Sequence, residues 1–93
     1  MSELELIINE ARDILEQGQP EVALNILNKS TDTNNGEVIF LKGEICFELQ
    51  RWGDALNHFS QYLEQFPSDT KAEAYCVIIQ NILGFFHKDL YNP

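Results

Sequence analysis

The groups in this chain that could do chemistry are few and far apart. His58 and His87 are the only imidazoles, and Cys46 and Cys76, thirty positions apart, are the only thiols. Asp54 lies one helical turn before His58, a spacing that would suit half a metal site or an acid–base dyad, because residues four apart on a helix share a face. Nothing else of that kind stands near them, so a surface ion pair between the two is the expectation. The cysteines form no C-x-x-C pair and have no neighbouring histidine to complete a metal set. Both fall on apolar helix faces, which points to buried free thiols in a reducing compartment. The early acids Glu3, Glu5, Glu10, Asp13 and Glu16 lack the D-x-[DN]-x-[DN]-G spacing of a calcium loop and read as a solvated helix face. There is no G-x-x-x-x-G-K-[ST], no G-x-S-x-G and no H-E-x-x-H. No enzyme, no cofactor and no metal site is expected.

A chain without reactive groups acts through its surfaces, and the elements that build those surfaces follow from composition and period. Ninety-three residues, 44% hydrophobic and 23% charged, make one globular domain with no room for a second. Six Lys plus Arg against fifteen Asp plus Glu give a net charge of −9, which repels phosphate backbones and anionic lipid heads. Neither nucleic acid nor membrane is an expected partner. The start Met1-Ser2-Glu3-Leu4-Glu5 is acidic where a secretory leader would be basic, and the longest apolar run, Ala74 to Ile79, is far short of the ~20 residues of a membrane helix. A cytoplasmic protein is the expectation.

Periodicity predicts helix nearly everywhere. Leu4, Ile7, Ile8, Ala11, Ile14 and Leu15 share one helical face, and Gly18-Gln19-Pro20 ends that helix and opens the next. Val22, Ala23, Ile26 and Leu27 form the stripe of a second, shorter helix, closed by the turn-rich stretch Ser30 to Gly36, where Asn34 or Asn35 can cap a third helix. That third helix is predicted from about Glu37 to Gln50 and a fourth from about Trp52 to Phe66, stopped by Pro67. Ser68 is placed as the cap of a fifth, reaching roughly Phe85 before a tail, His87 to Pro93. No segment alternates as a half-buried strand would, so the fold class is all-α, with consecutive helices antiparallel.

An offset of 32 superimposes Glu16-Gln17-Gly18-Gln19-Pro20-Glu21-Val22-Ala23-Leu24-Asn25 on Glu48-Leu49-Gln50-Arg51-Trp52-Gly53-Asp54-Ala55-Leu56-Asn57, with Glu, Ala, Leu and Asn in register. Gly43 and Ala55 are small where two helices of a hairpin would cross, Phe59 fills the space beside them, and Pro67 ends the second helix. Ile39, Lys42, Gly43, Cys46, Ala55, Phe59 and Pro67 fall at the intervals of W-x2-L-G-x2-Y…A-x3-F…P, and the segment resembles a tetratricopeptide repeat. The match is strongest over 36–67; the first unit fits at Ile7, Ala11, Ile14, Ala23 and Leu27 but has Glu10 in an apolar slot and no closing proline. The competing description is a five-helix bundle with fortuitous patterning.

The resemblance implies a short right-handed solenoid: repeat one over about 4–35, repeat two over about 36–69, and a capping helix and tail over 70–93. It also implies protein recognition without catalysis, the first helices of successive hairpins lining a concave groove. By position the groove residues would be Glu5, Ile8, Asn9, Arg12 and Leu15, then Glu37, Phe40, Leu41, Glu44 and Phe47, then Lys71, Ala74, Tyr75 and Ile78. Glu37 and Glu44 at the centre argue against a clamp for a partner's C-terminal carboxylate. An apolar floor of Ile8, Leu15, Phe40 and Phe47, edged by Glu5, Glu37, Glu44 and Glu48, would suit a basic amphipathic segment of a partner protein. Alternatively, the glutamates are an ordinary solvated face and Phe40 and Phe47 pack against the fifth helix.

The fifth helix carries Tyr75, Ile78, Ile79, Ile82, Leu83, Phe85 and Phe86 on more than one face, although a stack of repeats needs a polar end. The tail with Leu90 and Tyr91, a second copy of the chain, or another chain would cover it. A monomer that covers itself is expected, with a homodimer as the alternative state. In function an adaptor is expected, with a small acidic chaperone or assembly subunit that shields a partner's apolar segment as the alternative.

Overall fold

A computed structural model of the protein describes residues 2–29 and 34–86, the last two by backbone only. It is all-α among those residues: α1 (Glu3–Glu16), α2 (Pro20–Asn28), α3 (Gly36–Glu48), α4 (Trp52–Gln65) and α5 (Thr70–Phe86). The helices obey two different starting rules. Those that open a hairpin are capped by a side chain that accepts the backbone N–H three residues on: Ser2 Oγ from Glu5 at 3.1 Å, Asn35 Oδ1 from Val38 at 3.2 Å, Asp69 Oδ1 from Ala72 at 2.9 Å. Helices α2 and α4 have no side-chain cap; α2 instead opens on Pro20, which has no N–H to satisfy. The cap of α5 is therefore Asp69 and not Ser68, because the helix begins at Thr70 and only the residue before it can reach the N–H of Ala72.

The turns inside the two hairpins are the same turn. After α1, the N–H of Gly18 donates to Leu15 and that of Gln19 to Ile14; after α3, the N–H of Gln50 donates to Phe47 and that of Arg51 to Cys46. Both are Schellman closures, and each partner in the first has its counterpart 32 residues later in the second. The turn needs a left-handed residue, supplied by Gly18 at φ 81° and, without the ease of glycine, by Gln50 at φ 60°.

Two apolar clusters form the core among the described residues. Ile8, Ala11, Ala23, Leu27, Val38, Leu41 and Ile45 form the first, between α1, α2 and α3. Cys46, Ala55, Phe59, Ala72 and Ile79 form the second, between α3, α4 and α5, and Phe40, Phe47, Trp52, Tyr62 and Tyr75 pack around it. The expected close crossing in the second hairpin is present. A methyl group at Gly43 would stand 2.8 Å from Phe59 Cζ, so the glycine is what lets the ring lie against α3. Phe59 is fully buried, and hiding a side chain of that size contributes roughly 1.5–3 kcal/mol.

The fifth helix is covered on one side. Ile79 is buried and Tyr75 stacks on Phe59, 4.4 Å between ring centres at 8°, while Val77 and Ile78 remain 50% and 45% exposed. The tail expected to cover this helix lies outside the described residues.

Candidate functional site

Two adjoining cavities of about 470 and 370 Å³ run where α1, α3 and the start of α5 come together, and both are lined by Arg12, Phe40 and Lys71. Toward one end the walls are Asn35, Gly36, Glu37, Tyr62, Phe66 and Asp69. Toward the other they are Leu15, Glu16, Leu41 and Glu44. Together the cavities make one groove with an aromatic and aliphatic floor and charged walls.

Of the groove positions expected from the sequence, Arg12, Leu15, Glu37, Phe40, Leu41, Glu44 and Lys71 line these cavities. Ile8 does not: at 3% exposure it belongs to the core between α1, α2 and α3, because it sits one turn from Ala11 on the face that α2 and α3 cover. Glu5, Ala74 and Ile78 are exposed outside the cavities. Phe47 is half-buried and sits edge-on to Trp52 at 5.2 Å and to Tyr75 at 5.1 Å, which makes it packing for α5. Phe40 divides its surface. It meets Phe59, Tyr62 and Tyr75 edge-on at 5.3, 5.0 and 6.0 Å, yet still lines both cavities beneath the ammonium of Lys71.

Several lining residues were not legible as such. Tyr62 and Phe66 come from α4 and its end, although the repeat reading assigns the lining to first helices only. Phe66 is 46% exposed and tilts over Tyr62, with ring centres 4.8 Å apart. A methyl group at Gly36 would lie 2.7 Å from Phe66 Cε2, so the glycine that opens α3 also lets Phe66 close that end of the groove. An aromatic residue just before Pro67 was the available signal.

Fixed polar contacts order the walls. The phenol of Tyr62 donates to Asp69 Oδ2 at 3.1 Å, while the other carboxylate oxygen caps α5. The Ala72 N–H holds Asp69 below the usual carboxylate range, and burial with this hydrogen bond pushes the Tyr62 phenol up. Across the groove, the Tyr75 phenol donates to Glu44 Oε2 at 3.2 Å, and Lys71 Nζ approaches the same oxygen at 3.7 Å. Burial, then the charge of Glu44, raises the Tyr75 phenol, which keeps its proton as a donor. Such an assembly can grip a side chain by ring faces, carboxylates and two cations.

The histidine and thiols lie elsewhere. The ion pair expected between Asp54 and His58 is replaced by one from Arg51 to Asp54 at 3.0 Å. Half-buried His58 is held below its ordinary value, first by burial and then by Lys42, so it is neutral near pH 7 and a poor ion-pair partner. Cys46 and Cys76 are free thiols, both pushed up chiefly by burial, which makes them weak nucleophiles. Among the described residues no group of three His, Cys, Asp or Glu could hold a metal ion, and no helix is long and apolar enough to cross a membrane.

No protein-family model matches the chain, and neither a curated protein nor a solved structure is significantly similar to it.

Proposed function

We propose that this protein is a cytoplasmic interaction module of the tetratricopeptide kind, a single domain that holds a peptide or helix of a partner protein and performs no catalysis. The observation that carries this reading is the groove itself: two cavities joined at Arg12, Phe40 and Lys71, with exposed Phe66 at one end. Support comes from the 32-residue recurrence of the hairpin turn and from the Gly43–Phe59 contact at the spacing that the repeat pattern demands. A basic amphipathic segment fits best, since Glu16, Glu37, Glu44 and Asp69 outnumber the two cations along the walls.

The test is selection of binders from a random 14-residue peptide library, followed by nuclear magnetic resonance titration of the labelled protein. Perturbations should centre on Phe40, Phe66, Arg12 and Lys71. Phe66→Ala should weaken binding at least tenfold without unfolding the protein, because this ring lies at the surface. Replacing Phe40 would be a poor test, since three other rings lean on it. Binders that perturb only other faces, or no binders at all, would refute the groove.

A second reading has its own observation. Residues 74–86 of α5 carry no charged side chain in a chain of net charge −9, and Val77 and Ile78 are exposed there. Two copies could approach along this face without opposing their carboxylates, which would make the protein a homodimer through α5. Sedimentation over a dilution series decides it: a concentration-dependent dimer abolished by Val77→Glu is expected, and a monomer throughout rules it out.

A further inference from the structure

Lys71 occupies an unusual place. It is in the first turn of α5, where the positive end of the helix dipole disfavours a cation. Its ammonium lies over the Phe40 ring at 5.4 Å from the centre and 3.7 Å from Glu44 Oε2. The side chain is 68% exposed, so this ion pair is of the weak, solvent-screened kind, whereas Glu44 is only 25% exposed. Glu44 is not free to follow a departing lysine, because the Tyr75 phenol also holds its carboxylate. The receiving parts, ring and carboxylate, are thus fixed, and the cation above them is loose.

We infer that Phe40 and Glu44 form a subsite for a cationic side chain, that Lys71 is its displaceable internal occupant, and that the groove's partner delivers a lysine or arginine in its stead. An ammonium or guanidinium over an aromatic face and against a carboxylate is a self-consistent recognition unit, and Lys71 shows that the space admits one. Once Lys71 swings outward, Arg12 is the one cation left on the described walls against Glu16, Glu37, Glu44 and Asp69, which favours a positive newcomer. The internal lysine then acts as a competitor that any partner must displace, and it lowers apparent affinity by the fraction of time it is in place. This inference rests on the groove being the binding site.

The probes are the peptides selected from the 14-residue library that map to the groove. They should share a lysine or arginine at one fixed position, and Lys71→Ala should bind them about threefold or more tightly. Lys29→Ala, at the end of α2, changes the net charge equally and should alter affinity by less than twofold. Glu44→Gln keeps an acceptor for Tyr75 but should weaken the same peptides several-fold. Groove-binding peptides that lack a cation, or carry acids and bind Lys71→Ala less well, would overturn the subsite while leaving the groove intact. If no peptide maps to the groove, both fall together.

Discussion

Gly43 and Gly53 are both helical glycines with opposite costs. A methyl group at Gly43 meets three atoms of Phe59 within 3.0 Å, and that ring is clamped between Phe40 and Tyr75, whereas one at Gly53 meets nothing within 4 Å. Thermal or urea unfolding should therefore show Gly43→Ala destabilised by about 1–2 kcal/mol, since overpacking outweighs the gain in helix propensity, and Gly53→Ala stabilised by about 0.5–1 kcal/mol. Equal effects would mean that Phe59 can yield. His58 makes a pH prediction. Its folded form resists protonation, while the unfolded chain takes up a proton near pH 6.5, so the unfolded state binds more protons below that point. Stability is full above about pH 6.5 and declines as the pH falls through it toward the lower folded value. Urea denaturation at pH 7.5 and 5.5 should show a smaller loss in His58→Gln than in the natural chain; identical losses would remove His58 as the cause.

At the level of helices and turns, Gln50 is the exposed weakness. It performs for α3 the task that Gly18 performs for α1, at a positive φ that a side chain disfavours. Gln50→Gly should raise stability by about 0.5–1 kcal/mol in urea titrations, the relief of strain exceeding the added freedom of the unfolded chain. No change would mean that the Gln50 side chain compensates through contacts of its own. The 32-residue offset was legible because a turn is written in contiguous residues, and helix boundaries were legible for the same reason. Asp69 was missed as a cap because Ser68 beside it has equal chemistry, and only the start of the helix at Thr70 separates them. For Phe40 and Phe47 the sequence left groove floor and packing against the fifth helix as alternatives, and it placed Ile8 in the groove floor, because a lone sequence shows that a face is apolar but does not decide which neighbour covers it. Phe66 was missed because the groove was expected to draw only on first helices.

Over the whole molecule, the two apolar clusters meet in one helix. Val38, Leu41 and Ile45 face the first cluster, and Phe40, Cys46 and Phe47 the second, so α3 is apolar around most of its circumference and is covered from both sides. The groove lies against the same helix, with its floor residues Phe40 and Leu41 drawn one from each cluster. Because each cluster closes on α3 with residues of its own, opening of one end of the chain while the opposite end stays folded is the expected behaviour. Hydrogen exchange should show α3 amides opening only with global unfolding, and those of α1 with α2, and of α5, opening earlier as separate units. Leu27→Ala should speed exchange in α1 and α2 well beyond that in α4 and α5; one uniform opening energy across all five helices would show a single cooperative block. A partner seated in the groove would touch both units at once, so its binding would fasten together two halves that otherwise breathe independently, and the slowing of their exchange would report occupancy even where no helix changes position.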